Sequence, residues 1–421
     1  MATDTELKLY ALPDPITEDD LGASATIGDV QRMMGEKLRN VDEPMVMQQN
    51  ALQSQNFKTG VIGWKIAADG SAEFQNVNIG TKILTIDNSQ SIQTAVNTVS
   101  DAGGGTVLLK PGTYSLTADL TIPSSVYLQG LNTYTSIIDF GSTSSSILVQ
   151  GTGAYTTGTV AVTNNATTVT GTGTSWTANA VAGQRIMLAG IWYLISVVGS
   201  DTSITIAIPF AGNTLSGATY TIATIKSDVK LANFTVQNSA GSGIKFKYAG
   251  RECFVREVST NLNATGIELD TVSQFVSTGC DFSANNSGVL LTNSHFLGFD
   301  TWACIDSLVS HGLTLSTVTN SEFRASFVLN SAGDGFNITS SSDLAFQAIA
   351  VTQNAGQGVE FVSGNSNITM DDCTFDTNAS DGIKMTATTD NCFITSSAIK
   401  NNGGYGVNIA ASSCDTNIIT S

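Results

Sequence analysis

Positive charge, proline and long apolar runs are all scarce in this chain of 421 residues. Lys and Arg number 18 against 35 Asp and Glu, a net charge of −17. Such a field repels nucleic acid and anionic membrane surfaces, and neither is expected as a partner. No stretch approaches the roughly 18 consecutive apolar residues of a membrane-spanning helix, so no membrane insertion is expected. The opening stretch "MATDTELKLYALPDPITEDD" has neither a basic leader nor an apolar core, which predicts synthesis in a cytoplasm. Charged residues make up only 13% and Pro numbers 6 against 40 Gly, with Ser, Thr and Asn supplying most of the polarity. That composition belongs to an ordered β-rich chain, not a disordered one. Cysteines stand at 253, 280, 304, 373, 392 and 414, without paired metal-ligand spacing. No metal site, cofactor or disulfide framework is expected.

What the chain does have is a repeat. A Gly followed by an apolar residue recurs at Gly243, Gly266, Gly288, Gly312, Gly335, Gly358, Gly382 and Gly406, at intervals of 23, 22, 24, 23, 23, 24 and 24 residues. After each Gly the first and third residues are apolar, as in Ile267/Leu269 around Glu268 and Val359/Phe361 around Glu360. Period-two alternation marks a half-buried strand. A second strand precedes the next Gly, with Cys280/Phe282, Phe327/Leu329, Ile349/Val351 and Cys373/Phe375 facing inward. Short strands repeating about every 23 residues, cornered by Asn and Gly, describe the coils of a parallel β-helix. Cys280, Cys304 and Cys373 then read as small core residues. Neighbouring coils stand about 4.8 Å apart, so Lys245 over Glu268 and Glu360 over Lys384 are expected as ion pairs of a solvated outer ladder.

Upstream, "SIQTAVNTVSDAGGGTVLLKPGTYSL" places Ile92, Ala95, Val96 and Val99 at helical spacing before a Gly run and two strands. A short amphipathic helix would cover the open first coil, which otherwise presents bare strand edges. Helix, Gly run and "PGTY" turn together resemble the N-terminal end of the pectate-lyase-like right-handed parallel β-helices. The resemblance covers about 81–150 and the coils of 225–421. It implies the fold; lyases, hydrolases, epimerases, viral tailspikes and scaffolds all share it, and no lyase motif stands here to carry an activity over.

Two further segments depart from the coil pattern. Residues 156–224 show longer alternating strands with Gly/Asn turns, as a small antiparallel β-barrel inserted between coils would, and resemble a module of phage tail proteins. Trp192 and Tyr193 read there as barrel core. Residues 60–80 read as two strands around Asp69-Gly70 and resemble the neck of phage tail fibres. Ahead of them, 27–52 carries a weak helical or heptad pattern, including Met47 and Leu52. The expected organisation is an attachment segment with a short helix (1–59), neck strands (60–80), capping helix and first coils (81–155), inserted barrel (156–224) and main β-helix (225–421).

Chemistry is sought in carboxylate pairs, which glycoside hydrolysis needs about 5–5.5 Å or about 6.5–9.5 Å apart. Aligning Phe275, Phe296, Phe323 and Leu344 as inward residues puts Gln274, His295, Glu322 and Asp343 in one outward row. Glu322 and Asp343 are then the candidate catalytic pair, with His295, Asp300, Trp302 and Arg324 as candidate substrate-binding residues in the least regular coil.

The leading expectation is a phage tailspike or receptor-binding protein. It would be a homotrimer joined to tail or baseplate proteins through its N-terminus, located in the virion, and attached to host cell-surface polysaccharide. A polysaccharide depolymerase, as glycoside hydrolase or lyase, and a structural fibre or decoration protein without ligand are the alternatives.

Overall fold

The computed structural model describes residues 82–420 apart from 413 and 415, and before them the backbone of five short strands, Leu7–Leu9, Met45–Gln48, Ala51–Ser54, Gly63–Ala67 and Ala72–Gln75. These five form one antiparallel sheet in chain order. Gly63–Ala67 pairs with Ala72–Gln75, Trp64 opposite Phe74, on either side of Asp69-Gly70. Met45–Gln48 pairs with Ala51–Ser54, Met47 opposite Leu52, so the C-terminal end of the helical pattern expected over 27–52 is strand instead. A short apolar run carries too little periodicity to separate the two states. The remainder of that stretch lies outside the described residues.

From Lys82 onward the chain is an all-β solenoid of about 14 turns. It begins under the helix Ile92–Asp101, which buries Ile92, Ala95, Val96 and Val99 as their spacing predicts. Its first turn is held by Ser91, whose side chain accepts from the Thr94 N–H at 3.2 Å. Lys82–Ile86 then pairs in parallel with Gly105–Leu109, that strand with Val126–Gly130, and that in turn with Lys230–Ala232. The ladder therefore passes over some seventy residues without a gap, because the segment between leaves from a corner and returns to it. This segment is the antiparallel insert, an eight-stranded sheet from Thr152–Tyr155 to Thr221–Thr224. Its first and last strands pair with each other, Thr152 opposite Thr224. Trp176, Trp192 and Tyr193 are all buried there, the last two as expected.

The glycine repeat has a steric cause. A Cβ on Gly335 would lie 2.2 Å from the inward Val351 and 2.7 Å from the Gly358 carbonyl of the next coil. At Gly358 the same atom would stand 2.4 Å from the Gly382 carbonyl. Backbones approach here more closely than any side chain permits. Inside, Phe246, Phe275, Phe299, Phe323 and Phe346 follow one another at ring distances of 5.1, 5.9, 5.4 and 4.9 Å. The stack is mutually reinforcing, each ring resting on its neighbours. Lys245 meets Glu268 at 2.8 Å and Lys384 meets Glu360 at 3.0 Å, as the outer ladder predicts.

A second ladder went unread in the sequence. Asn263 and Asn285, and further on Asn354, Asn378 and Asn402, are inward corner residues whose side-chain oxygens accept the backbone N–H of the preceding coil. Each turn of such a coil leaves a corner N–H without a strand partner, and the amide supplies one.

The inward row is shifted from the expected one. Leu297, not Phe296, stands opposite Phe275, and Phe296 takes a left-handed corner conformation with φ 55°. Phe327 points outward and is 60% exposed; its neighbour Val328 occupies the core beside Cys304. Cys253, Cys280, Cys304, Cys373 and Cys392 are buried and unpaired. Among the described residues no helix is long and apolar enough to cross a membrane.

Candidate functional site

The insert folds back over the flank of the coils and closes a cleft of about 680 Å³. Its roof is the insert: Met187, the hairpin tip Ala189-Gly190, Leu215 and Ala218–Thr221, of which Tyr220 belongs to the insert's buried core. Its floor is a corner of successive coils, where Tyr248, Thr271, Asn293 and Thr317 stand one above the other with φ of 48°, 57°, 48° and 59°. Left-handed corner residues splay their side chains away from the strand rows, which makes this column a row of polar groups facing the insert.

Three contacts hold roof to floor. Ser273 Oγ donates to the Gly190 carbonyl at 2.5 Å, and Trp192 Nε1 donates to the Ala249 carbonyl at 3.2 Å. Gly190, at φ 81°, sits so close to the His295 ring that a Cβ would be 2.7 Å from its Cβ and Cγ. The third contact thus requires glycine twice over, for its backbone and for its lack of a side chain. A wall fixed at three points is rigid enough to present groups in a set geometry.

The charges along the cleft are tethered. Asp270 accepts from Lys247 Nζ at 2.7 Å and from Thr271 Oγ1 at 2.9 Å. Burial works to raise its pKa, but the Lys247 bond and the other donors outweigh this and leave it below the usual carboxylate value. Asp343 accepts from Ser342 Oγ at 2.8 Å and Asn367 Nδ2 at 3.1 Å. The Tyr220 hydroxyl donates to the Thr157 carbonyl at 2.6 Å and accepts from Trp176 Nε1 at 3.0 Å. Burial pushes its pKa up to about 12, so it stays neutral and fixed.

His295 Nδ1 lies 2.7 Å from Thr319 Oγ1, and burial pushes its pKa down to about 4. The ring is therefore neutral at pH 7. Because the unfolded chain holds this proton near pH 6.5, stability should fall as pH drops from about 6.5 toward 4, by on the order of 2–3 kcal/mol. Denaturation of the wild type and His295→Gln at pH 7 and pH 4.5 checks this. The wild type should lose more over that interval than the variant, and equal losses would contradict a neutral buried ring.

His295 and Asp343, both expected from sequence, line this cleft. The other expected residues lie elsewhere. Glu322 stands opposite Gly298 and Ala345 on the outer face of a sheet, whereas Asp343 falls at the corner beyond Ser342. The two do not share a row, because Phe346, not Leu344, stands opposite Phe323, which puts Ala345 and not Asp343 opposite Glu322. Arg324 and Asp300 sit on the same outer face as Glu322, Arg324 opposite Asp300 and 2.6 Å from Glu322. Trp302 is core, 2% exposed, packed edge-on against Phe299 at 6.2 Å; a residue so placed cannot meet a ligand. Asp270, Tyr220, Tyr248, Asn293 and Thr317 were missed. Their convergence depends on where the insert docks, and contacts such as Ser273 with Gly190, 83 residues apart, leave no local sequence signal. Among the described residues no group of three or more His, Cys, Asp or Glu is arranged to hold a metal ion.

No curated protein matches the chain. Residues 303–421 match the family model described as a right handed beta helix region. Among solved structures the chain is similar to ORF18 of Geobacillus virus E2, with 11% identity, a TM-score of 0.49, and coverage of 85% of this chain and 66% of that one. It is also similar to the Gp54 tailspike of Acinetobacter baumannii bacteriophage AP22, solved with a capsular saccharide, at 10% identity and TM-score 0.44 over 79% and 70% of the two chains. A third is the A-module of the mannuronan C-5 epimerase AlgE6 of Azotobacter vinelandii, at 16% identity and TM-score 0.37 over 75% and 67%. The family match over the C-terminal coils and the parallel ladders that continue from Lys82 onward make the chain a right-handed parallel β-helix.

Proposed function

We propose that this protein binds a cell-surface polysaccharide in the cleft between the antiparallel insert and the β-helix, and does so as the receptor-binding tailspike of a virus tail. The observation that carries the reading is the cleft itself. It is of ligand size, rigidly walled, and lined by hydroxyls, amides and two tethered carboxylates, with the ring of Tyr248 among them. Sugars offer many hydroxyls and one apolar face per ring, and such a lining meets both. Binding is favoured over cleavage because Asp270 is committed to Lys247 and Asp343 to Asn367 and Ser342. A hydrolase needs one carboxyl free to give up a proton. The tail assignment is supported by the resemblance of 60–80 and of the insert to tail-fibre elements.

Immobilised capsular and O-antigen polysaccharides provide the test. The wild type should be retained on at least one of them, and Asn293→Ala with Thr317→Ala should weaken retention by about tenfold, the loss of one or two hydrogen bonds. Glu322→Gln, on the outer sheet, should change nothing. Retention indifferent to the cleft pair would overturn the assignment, and reducing ends released by the wild type but not by Asp343→Asn would replace binding with depolymerisation.

We further propose a homotrimer attached to tail or baseplate proteins by its N-terminal region and carried in the virion. Closed symmetry is the usual way for an elongated repeat with neck strands to bury shared surface. Light scattering should give about three times the 43.8 kDa of one chain, and the mass of a single chain would refute it.

A further inference from the structure

We propose that the seam beside this cleft, at Arg185, Lys226 and Arg251, binds the carboxylate of an acidic sugar in the same polysaccharide. The inference extends the reading of the cleft as a saccharide site.

Cations are few in this chain, and Lys245, Lys247, Lys384 and Lys400 each face an acid on a neighbouring coil. Arg185, Lys226 and Arg251 make no ion pair with any described residue, and no hydrogen bond engages their side chains. Topology nevertheless brings them together. Arg185 stands opposite Ala223 on the insert strand, two residues from the cleft residue Met187 and on the same face. Three residues after Ala223 the chain re-enters the coil at Lys226, whose N–H donates to the Tyr248 carbonyl at 3.1 Å and whose carbonyl accepts from the Gly250 N–H at 3.0 Å.

Arg251 follows at once, in a β-bulge. Between Gly250 and Cys253 the chain has two residues where the next coil, between Ser273 and Phe275, has one. Both bulge residues, Arg251 and Glu252, are left-handed at φ 51° and 68°. Bulges re-aim side chains and gather beside functional sites. This one sits at the seam where the insert strand carrying Arg185 packs. The acid at this seam, Asp228, whose N–H donates to the Arg251 carbonyl at 3.0 Å, has its carboxylate engaged by Lys230 at 3.0 Å, and burial first, then the charge of Arg251, push the Arg185 pKa down. Glu252 pairs with neither. A pair of like charges, Arg185 part-buried and Arg251 exposed, is stabilised by a bound anion, and a guanidinium fork fits a carboxylate. The geometry also resolves an electrostatic conflict. A cleft lined by Asp270 and Asp343, on a chain of net charge −17, repels acidic glycans unless cations stand beside it. The ligand class is therefore an acidic heteropolysaccharide, its hydroxyls in the cleft and its carboxylate at the seam.

Saturation-transfer NMR on the full chain, with methyl β-glucuronide and methyl β-glucoside as probes and inorganic sulfate as competitor, tests this. The glucuronide should bind about tenfold better than the glucoside, and Arg185→Gln or Arg251→Gln should each remove that preference, while Arg324→Gln keeps it. Unchanged melting temperatures exclude unfolding as the cause. Equal binding of the two sugars, or a preference that survives both arginine variants, overturns the proposal. Sulfate binding that the arginine variants abolish, without a glucuronide preference, makes the seam a free-anion site and overturns its link to the saccharide. The cleft variants separate the two readings. If Asn293→Ala with Thr317→Ala leaves glucoside binding intact while the arginine variants abolish the glucuronide preference, the seam stands and the cleft falls.

Discussion

Val359→Asp is expected to unfold the coils around it. Val359 is fully buried, opposite Phe336 in the coil before and Ile383 in the coil after. A carboxylate there has no donor, and removing it from water costs several kcal/mol even after it takes up a proton. Each coil rests only on its neighbours, so the loss spreads along the ladder instead of staying at one site. Val359→Ala separates charge from cavity, with an expected cost of about 2 kcal/mol. Thermal melts followed by circular dichroism should show a large drop for Asp, beginning in the C-terminal coils, and a modest one for Ala. A melting temperature unmoved by Asp would remove Val359 from the core.

Asn378→Ala should cost more than any exposed polar residue of the chain. Asn378 Oδ1 accepts from the Asn354 backbone N–H at 3.1 Å and from Asn354 Nδ2 at 2.8 Å. Its own Nδ2 donates to the Val351 carbonyl at 3.2 Å and to Asn402 Oδ1 at 2.9 Å. Truncation leaves several buried groups without partners, each worth about 1–3 kcal/mol, or roughly 4 kcal/mol together after relaxation. Asn378→Asp keeps the acceptor but turns a buried carboxylate oxygen toward the Val351 carbonyl and Asn402 Oδ1, so near neutral pH it should be no more stable than Ala. Denaturant titration of the three proteins gives the order, and an Ala variant as stable as wild type would mean that water already serves the corner.

The repeat was legible because two hard constraints write it into the sequence. Close backbone approach forbids a Cβ at Gly335 and its equivalents, and inward alternation fixes Phe336/Ile338 and Val359/Phe361. Parallel pairing, the capping helix, the outer ion pairs and the buried cysteines follow from those constraints. The corners were not legible. Left-handed residues such as Thr271, Asn293 and Phe296 are not glycine here and carry no common side chain, so a turn of one residue shifts inward to outward without warning. Separate corners, at Phe296 and at Ala325, take Phe296 and Phe327 out of the core, and Glu322 faces Ala345, two residues beyond Asp343. The interior Asn ladder shares the repeat's spacing and was available to sequence reading, but Ser307 and Ser331 interrupt it between Asn285 and Asn354. Of the residues expected from sequence, His295 and Asp343 line the cleft; the groups facing them from the insert carry no sequence signal, because docking of the insert is a tertiary fact.

The central claim is that a polysaccharide lies between insert and coils. Hydrogen exchange of the full chain, with and without a retained polysaccharide, measures this most directly. Binding should slow exchange in peptides covering the hairpin tip at 187–191, the insert strand at 218–222 and the corners at 270–273, 293–295 and 317–320, with the outer sheet at 322–325 unchanged. Protection confined to 298–300 and 322–325, or spread over neither surface while the protein still binds, would contradict it.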